Sequence, residues 1–159
     1  MANTQAMCTS FKQELLNGSH AFGAQATNSV RTVTTKDTFN GALYLVTATI
    51  GAATTVYSAT GELAATGGYT AKGALITNAT APTTSGTTGF WTPSASLVWS
   101  SFTSSGAFDA LLIINNKSTS GAAELAVSVH TFGSQTVTAG TFTLTMPTND
   151  ATNALIRIA

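Results

Sequence analysis

The chain has 159 residues, the length of one domain, which is enough to bury a core without disulfide staples. Only 8% of its residues are charged, against about 25% in an ordinary soluble domain, and the formal net charge is zero. That balance excludes the basic footprint of a nucleic-acid binder, and the single cysteine, Cys8, excludes an internal disulfide.

Thr, Ser, Ala, Gly and Asn take the place of the missing charges. Zero net charge promotes association, so the composition fits a subunit held against others. The plainer alternative is a low-charge β domain kept in solution by its hydroxyls. Lys12, Arg31, Lys36, Lys72, Lys117 and Arg157 are scattered along the chain. A free thiol suits a reducing cytosol. The first residues lack the basic region and apolar core of a signal peptide. No apolar run approaches the roughly 20 residues of a membrane-spanning helix.

In chain order, residues 3–17 read as the one helix. Met7, Phe11 and Leu15, with Phe22 beyond them, recur at near-helical spacing; Asn3 or Thr4 caps the start and Asn17-Gly18 stops it. Residues 23–29 are a connection of small side chains, and 30–35 alternate as a strand does. Lys36-Asp37 reads as a turn. Strand structure follows over 40–49, with Gly41 marking a bulge or bend. Gly61, Gly67, Gly68 and Gly73 exclude a helix from 54–73, which reads as a short extended piece, a tight turn and a protruding loop. Residues 74–79 return as a strand and 81–89 are loop. Pro93 splits two strands at 90–92 and 96–102, the second with Leu97 and Trp99 on one face and Val98 on the other.

Residues 107–115 organise the rest. Phe108, Ala110, Leu112 and Ile114 fall on one side of an extended chain, Leu111 and Ile113 on the other. An apolar run on both faces means a strand covered on both sides, and Asn115-Asn116-Lys117-Ser118 ends it. Asp109 is its anomaly: it belongs at an edge, in a subunit contact, or in a hydrogen bond. After a loop at 118–122, residues 124–132 form a strand. Segments 135–138 and 141–146 form a hairpin around Ala139-Gly140. Thr141, Thr143 and Thr145 give that hairpin a wet face. A loop at 147–153 leads to a last strand at 154–159. About eight to ten short strands with closely spaced turns predict an all-β fold. It is a single antiparallel β-sandwich or jelly-roll-like domain with one N-terminal helix, the helical segment spanning 1–23 and the β domain 24–159.

No constellation of catalytic or metal-binding residues stands out. Glu14, Asp37, Glu62, Asp109, Glu124 and Asp150 form no calcium loop, and solvated charges at strand ends are their ordinary reading. A glycosidase-like pair would have to meet in space. His20 and His130 have no ligands at zinc spacing, and His130 alternates with Val129 to point out of its strand. No Gly-x-Ser-x-Gly elbow occurs. Cys8 has no activating partner and reads as buried. Residues 61–73 lack the pattern of a phosphate loop. Trp91 and Trp99 could offer a sugar platform, but core or rim packing is their commoner use. The residues therefore read as a non-enzymatic protein without metal or cofactor.

One pattern carries more. Tyr57-Ser58-Ala59-Thr60-Gly61-Glu62, followed by Gly67-Gly68-Tyr69-Thr70-Ala71-Lys72-Gly73, is similar to a segment recurring in small virion structural proteins of tailed bacteriophages. Residues 1–18 and 142–159 resemble those proteins too. Lys72-Gly73 stands where Gly-Gly is expected, and Glu62-Leu63 where Glu-Val is common. The resemblance implies a protein made in the host cytoplasm that ends on the capsid surface as a cement or decoration protein. It would bind the outer face of the major capsid protein where capsomers meet, and copies of itself as a dimer or trimer. It would bind no nucleic acid, membrane or small-molecule substrate. Its work would be mechanical, with many small contacts summed over a lattice. A head–tail connector or tail component fits the composition as well; a carbohydrate-binding module is a distant alternative. Candidate contacts are Met7, Phe11 and Leu15 on the helix and Glu62, Tyr69 and Lys72 on the glycine-rich loop.

Overall fold

The computed structural model describes residues 2–23, 36–117 and 124–159. In chain order the elements are β1 (Ala6–Met7), α1 (Thr9–Leu16), β2 (Thr38–Leu45), β3 (Ala74–Ile76), β4 (Thr83–Ser85), β5 (Thr88–Trp91), β6 (Leu97–Phe102), β7 (Phe108–Lys117), β8 (Leu125–Gln135), β9 (Gly140–Leu144) and β10 (Ile156–Ile158). The strand expected at 30–35 and the loop at 118–122 lie outside the described residues. The fold is all-β and antiparallel, as the spacing of strands and turns predicts. A five-stranded sheet runs β1-β8-β7-β2-β3, a three-stranded sheet β10-β5-β4, and β6 and β9 form a ribbon.

The strand predicted at 107–115 is β7, paired with β2 on one side and β8 on the other. Every residue from Ala110 to Asn115 is buried, as a strand covered on both faces requires. Two details differ from the expectation. Pairing with Thr38 carries β7 through Asn116 to Lys117, so the ladder overrides the turn preference of those residues. Asp109 is an extra residue, because Tyr44 pairs with Ala110 and Leu45 with Phe108. This β-bulge reverses the alternation. Phe108 therefore leaves the side of Leu112 and joins that of Leu111. Its ring lies 5.0 Å from Phe142 and 5.9 Å from Phe102. Those rings belong to the ribbon, whose Leu97 meets Leu111 over Gly41. Gly41 marks no bulge; its missing side chain makes room for these two leucines.

The N-terminal helix is half the expected length. Residues 3–8 are claimed by the sheet instead. The Asn3 side chain donates to the Leu45 carbonyl and to Asp109 and accepts from the Ile50 N–H. Ala6 and Met7 pair with Val129 and Ser128. Cys8, not Asn3 or Thr4, precedes the first turn, and its side chain caps nothing. Asn17 and Gly18 (φ 67°) stop the helix as expected.

Shorter corrections follow the same logic. β2 ends at Leu45, where a turn bonds the Ala48 N–H to the Leu45 carbonyl. The loop at 81–89 contains a hairpin, β4 to β5, turning at Gly86 (φ 57°). The hairpin expected around Ala139-Gly140 does not form. β8 runs on to Gln135, and β9 pairs with β6 instead. Thr141, Thr143 and Thr145 are exposed and alternate with half-buried Phe142 and Leu144.

Candidate functional site

The six nominated residues fall in two places. Glu62, Tyr69 and Lys72 meet in one hydrogen-bonded knot. Met7, Phe11 and Leu15 lie around β10.

The glycine-rich segment 57–73 does not protrude. Leu63 and Tyr69 are buried, and Glu62 is only 8% exposed. Gly68 and Gly73, at φ 84° and 68°, let it fold back until a Cβ on Gly73 would lie 1.9 Å from the Gly41 carbonyl oxygen. Glu62 holds it there. Its Oε1 accepts from the Tyr69 hydroxyl (2.8 Å) and the Lys72 N–H (2.6 Å), and its Oε2 from the Tyr57 hydroxyl (2.5 Å). The Tyr69 oxygen accepts in turn from the Leu43 N–H of β2. Tyr44 bridges to Glu62 through its backbone. All three tyrosines of the chain thus surround one carboxylate. Burial, and then the nearby Glu62 charge, push every one of their hydroxyls to a higher pKa. Above the knot, Lys72 pairs with Glu124 and its ammonium lies 5.5 Å from the Tyr57 ring centre. Lys72 and Glu124 both have left-handed backbones, φ 68° and 64°, which glycine would adopt without strain. Chemically this arrangement fastens a loop to a strand: both carboxylate oxygens are occupied, and the phenols resist ionisation.

The other carboxylates have partners as well: Asp37 is buried rather than solvated, while Asp150 stays at the surface as that reading expects. Asp37 is buried and accepts from the Ala21 N–H (2.9 Å) and the Asn115 amide (2.6 Å). Glu14 meets His20 at 2.8 Å, and the other ring nitrogen of His20 lies 3.0 Å from the Asn115 amide. The sequence spacing hid this buried relay because its members come from α1, the segment after it, and β7. Asp109 accepts from Asn3 at 2.6 Å, so its anomaly resolves as a hydrogen bond at the bulge. Asp150 is wrapped by Thr148, Thr152 and Asn153, whose bonds hold its pKa well below the usual carboxylate range. Every one of the six acidic side chains therefore has a partner inside the chain. Among the described residues the cations are treated differently. Lys72 has an ion-pair partner; Lys12, Lys36 and Arg157 have none. Among the described residues no cluster of three His, Cys, Asp or Glu could hold a metal ion.

Around β10 the surface is open. Met7, Leu15 and Ile158 line a groove of about 510 Å3 with Lys12, Leu16 and Arg157 at its sides. Leu16 is 90% exposed and Ile158 51%. Phe11 is fully buried; it forms the floor of an adjoining 250 Å3 apolar pocket with Phe22, Trp91 and Ile156. On the other side of Arg157 a cleft of about 620 Å3 opens, with walls that include β1 and β10. His130 reaches this cleft. It does not point freely outwards: it is half-buried and bonded to Ser128 (2.9 Å), and burial pushes its imidazole down to about 4.

Neither tryptophan offers a platform. Trp91 is 2% exposed and packs on Phe22, and Trp99 is 4% exposed and packs on Phe142. No protein-family model matches the chain, and no curated protein or solved structure matches it.

Proposed function

We propose that this chain is a non-enzymatic structural protein of a tailed-bacteriophage particle. Its role is that of a cement protein on the outer face of the head, bridging major capsid protein subunits. The observation that supports this reading most is the distribution of charge. All six carboxylates have partners within the chain, and around its few exposed charges the exterior presents hydroxyls, small side chains and scattered apolar ones such as Leu16, Leu75, Val98 and Ile158. Such a surface suits broad, uncharged contact, and weak contacts of this kind become strong when a lattice repeats them. The Glu62 knot contributes rigidity: a protein that carries load between neighbours gains from loops fastened to its sheets. The virion assignment itself rests on the resemblance of residues 57–73 and of both ends.

The reading is tested on particles made without the chain. They are expected to assemble and carry tails but to lose DNA on heating or osmotic shock. Particles that stay as resistant as normal ones would sink the cement role. Normal heads with defective tails would favour the connector or tail alternative.

A further inference from the structure

We propose that the cleft between β1 and β10 is a docking groove for an extended, acidic and apolar segment of a different polypeptide, taken up by strand addition. Among the described residues β1 and β10 are each the outermost strand of their sheet, β1 paired with β8 and β10 with β5. An outermost strand presents a row of unpaired N–H and C=O groups. Here two such strands, from two different sheets, line one cleft. An added strand would engage backbone groups of both walls, the way extended peptides bind sheet edges elsewhere.

The side chains define the occupant. The groove that continues past Arg157 is apolar through Met7, Leu15, Leu16 and Ile158, so the segment carries aliphatic residues. Lys12 and Arg157 flank it, and no Asp or Glu is among the residues lining either cavity. Among the described residues neither cation has an ion-pair partner, so an acidic segment would meet complementary charge here. A charge on an outermost strand ordinarily keeps other strands away; Arg157 does so for uncharged segments and selects one that brings an acid. A second copy of this chain is a poor source, because its six acidic side chains are already engaged. The groove does not depend on the shell reading: a tail component would use it in the same way.

The test uses the full chain as bait for a display library of random peptides, followed by synthesis of an enriched peptide and anisotropy titration. Enriched peptides are expected to mix aliphatic residues with Asp or Glu. Their affinity should fall about tenfold with Arg157→Glu or Lys12→Glu and stay unchanged with Lys36→Glu, an exposed lysine outside the groove. Arg157 and Lys12 are exposed, so neither reversal threatens the fold. Bound peptide should slow amide exchange over residues 5–7 and 154–159. The proposal is overturned by no enrichment above an unrelated bait, by enriched peptides without acids, or by binding indifferent to both reversals. Self-association that Arg157→Glu dissolves would overturn it in favour of a second copy.

Discussion

Replacing Glu62 by Ala removes the acceptor for three donors at once. The Lys72 N–H is left without a partner, at a cost of about 1–2 kcal/mol for a part-buried donor. The Tyr69 hydroxyl keeps the Leu43 N–H but loses its own acceptor, which adds about 1–2 kcal/mol. Tyr57 is half-buried and can turn to water, so it adds little. The expected loss is about 2–4 kcal/mol, or roughly 10 °C in Tm for a domain of this size. Glu62→Gln keeps the shape and one oxygen, and the Tyr57 hydroxyl can rotate to accept from the new amide. Its cost should be about 1–2 kcal/mol, the loss of charge assistance. Lys72→Gly gives up a partly exposed ion pair worth about 0–1 kcal/mol and relieves a left-handed backbone strained by about 1 kcal/mol, so stability should hold. Urea and thermal unfolding followed by circular dichroism measure all three. The reasoning fails if Glu62→Ala unfolds within 1 kcal/mol of the parent, or if Lys72→Gly costs as much as Glu62→Ala.

Phe108→Ala should destabilise by about 3–5 kcal/mol, since the ring is fully buried against Phe102, Phe132 and Phe142; urea unfolding gives the value. His130 makes stability fall in mild acid. Its folded pKa of about 4 lies below the unfolded value of about 6.5, so the unfolded chain binds the extra proton between those two pH values. Stability should decline as pH drops through that window, by about 2–3 kcal/mol from this group, and His130→Gln should flatten the decline in a Tm-versus-pH series. Cys8 is fully buried, and desolvation followed by the Glu14 charge raises its thiol to about 12. A thiol reagent at neutral pH should therefore leave the native protein unmodified and label it stoichiometrically in denaturant.

The sheet was legible where side chains alternate or fill both faces. The strands read at 107–115, 96–102 and 124–132 formed as Phe108–Lys117, Leu97–Phe102 and Leu125–Gln135, because burial of those patterns leaves few alternatives. What sequence reading missed arises from long-range partners. Met7 keeps helical spacing with Phe11 and Leu15, yet its backbone pairs with Ser128, more than a hundred residues away. The parity of Phe108 reverses because one extra residue, Asp109, enters a ladder whose register only the partner strand reveals. The glycines of 57–73 correctly excluded a helix, but glycine also permits close approach, and here Gly73 packs against the Gly41 carbonyl rather than projecting. The fate of the carboxylates was equally hidden. Nothing in their spacing announces that Glu62 gathers Tyr57 and Tyr69, or that Asp37 meets Asn115 across 78 positions. Low charge suggested a surface made for contact; the geometry adds that, among the described residues, the side chains without an ion-pair or hydrogen-bond partner include the cations Lys12 and Arg157 beside one groove.

Cryo-electron microscopy of the intact particle that carries this chain tests the proposed role most directly. The expected result is this β fold on the outer face of the head where capsomers meet, in hundreds of copies, with a strand of a neighbouring protein in the cleft between β1 and β10. The same fold confined to a single ring at the head–tail junction or in the tail would contradict the cement role, and its absence from the particle would contradict the virion assignment altogether.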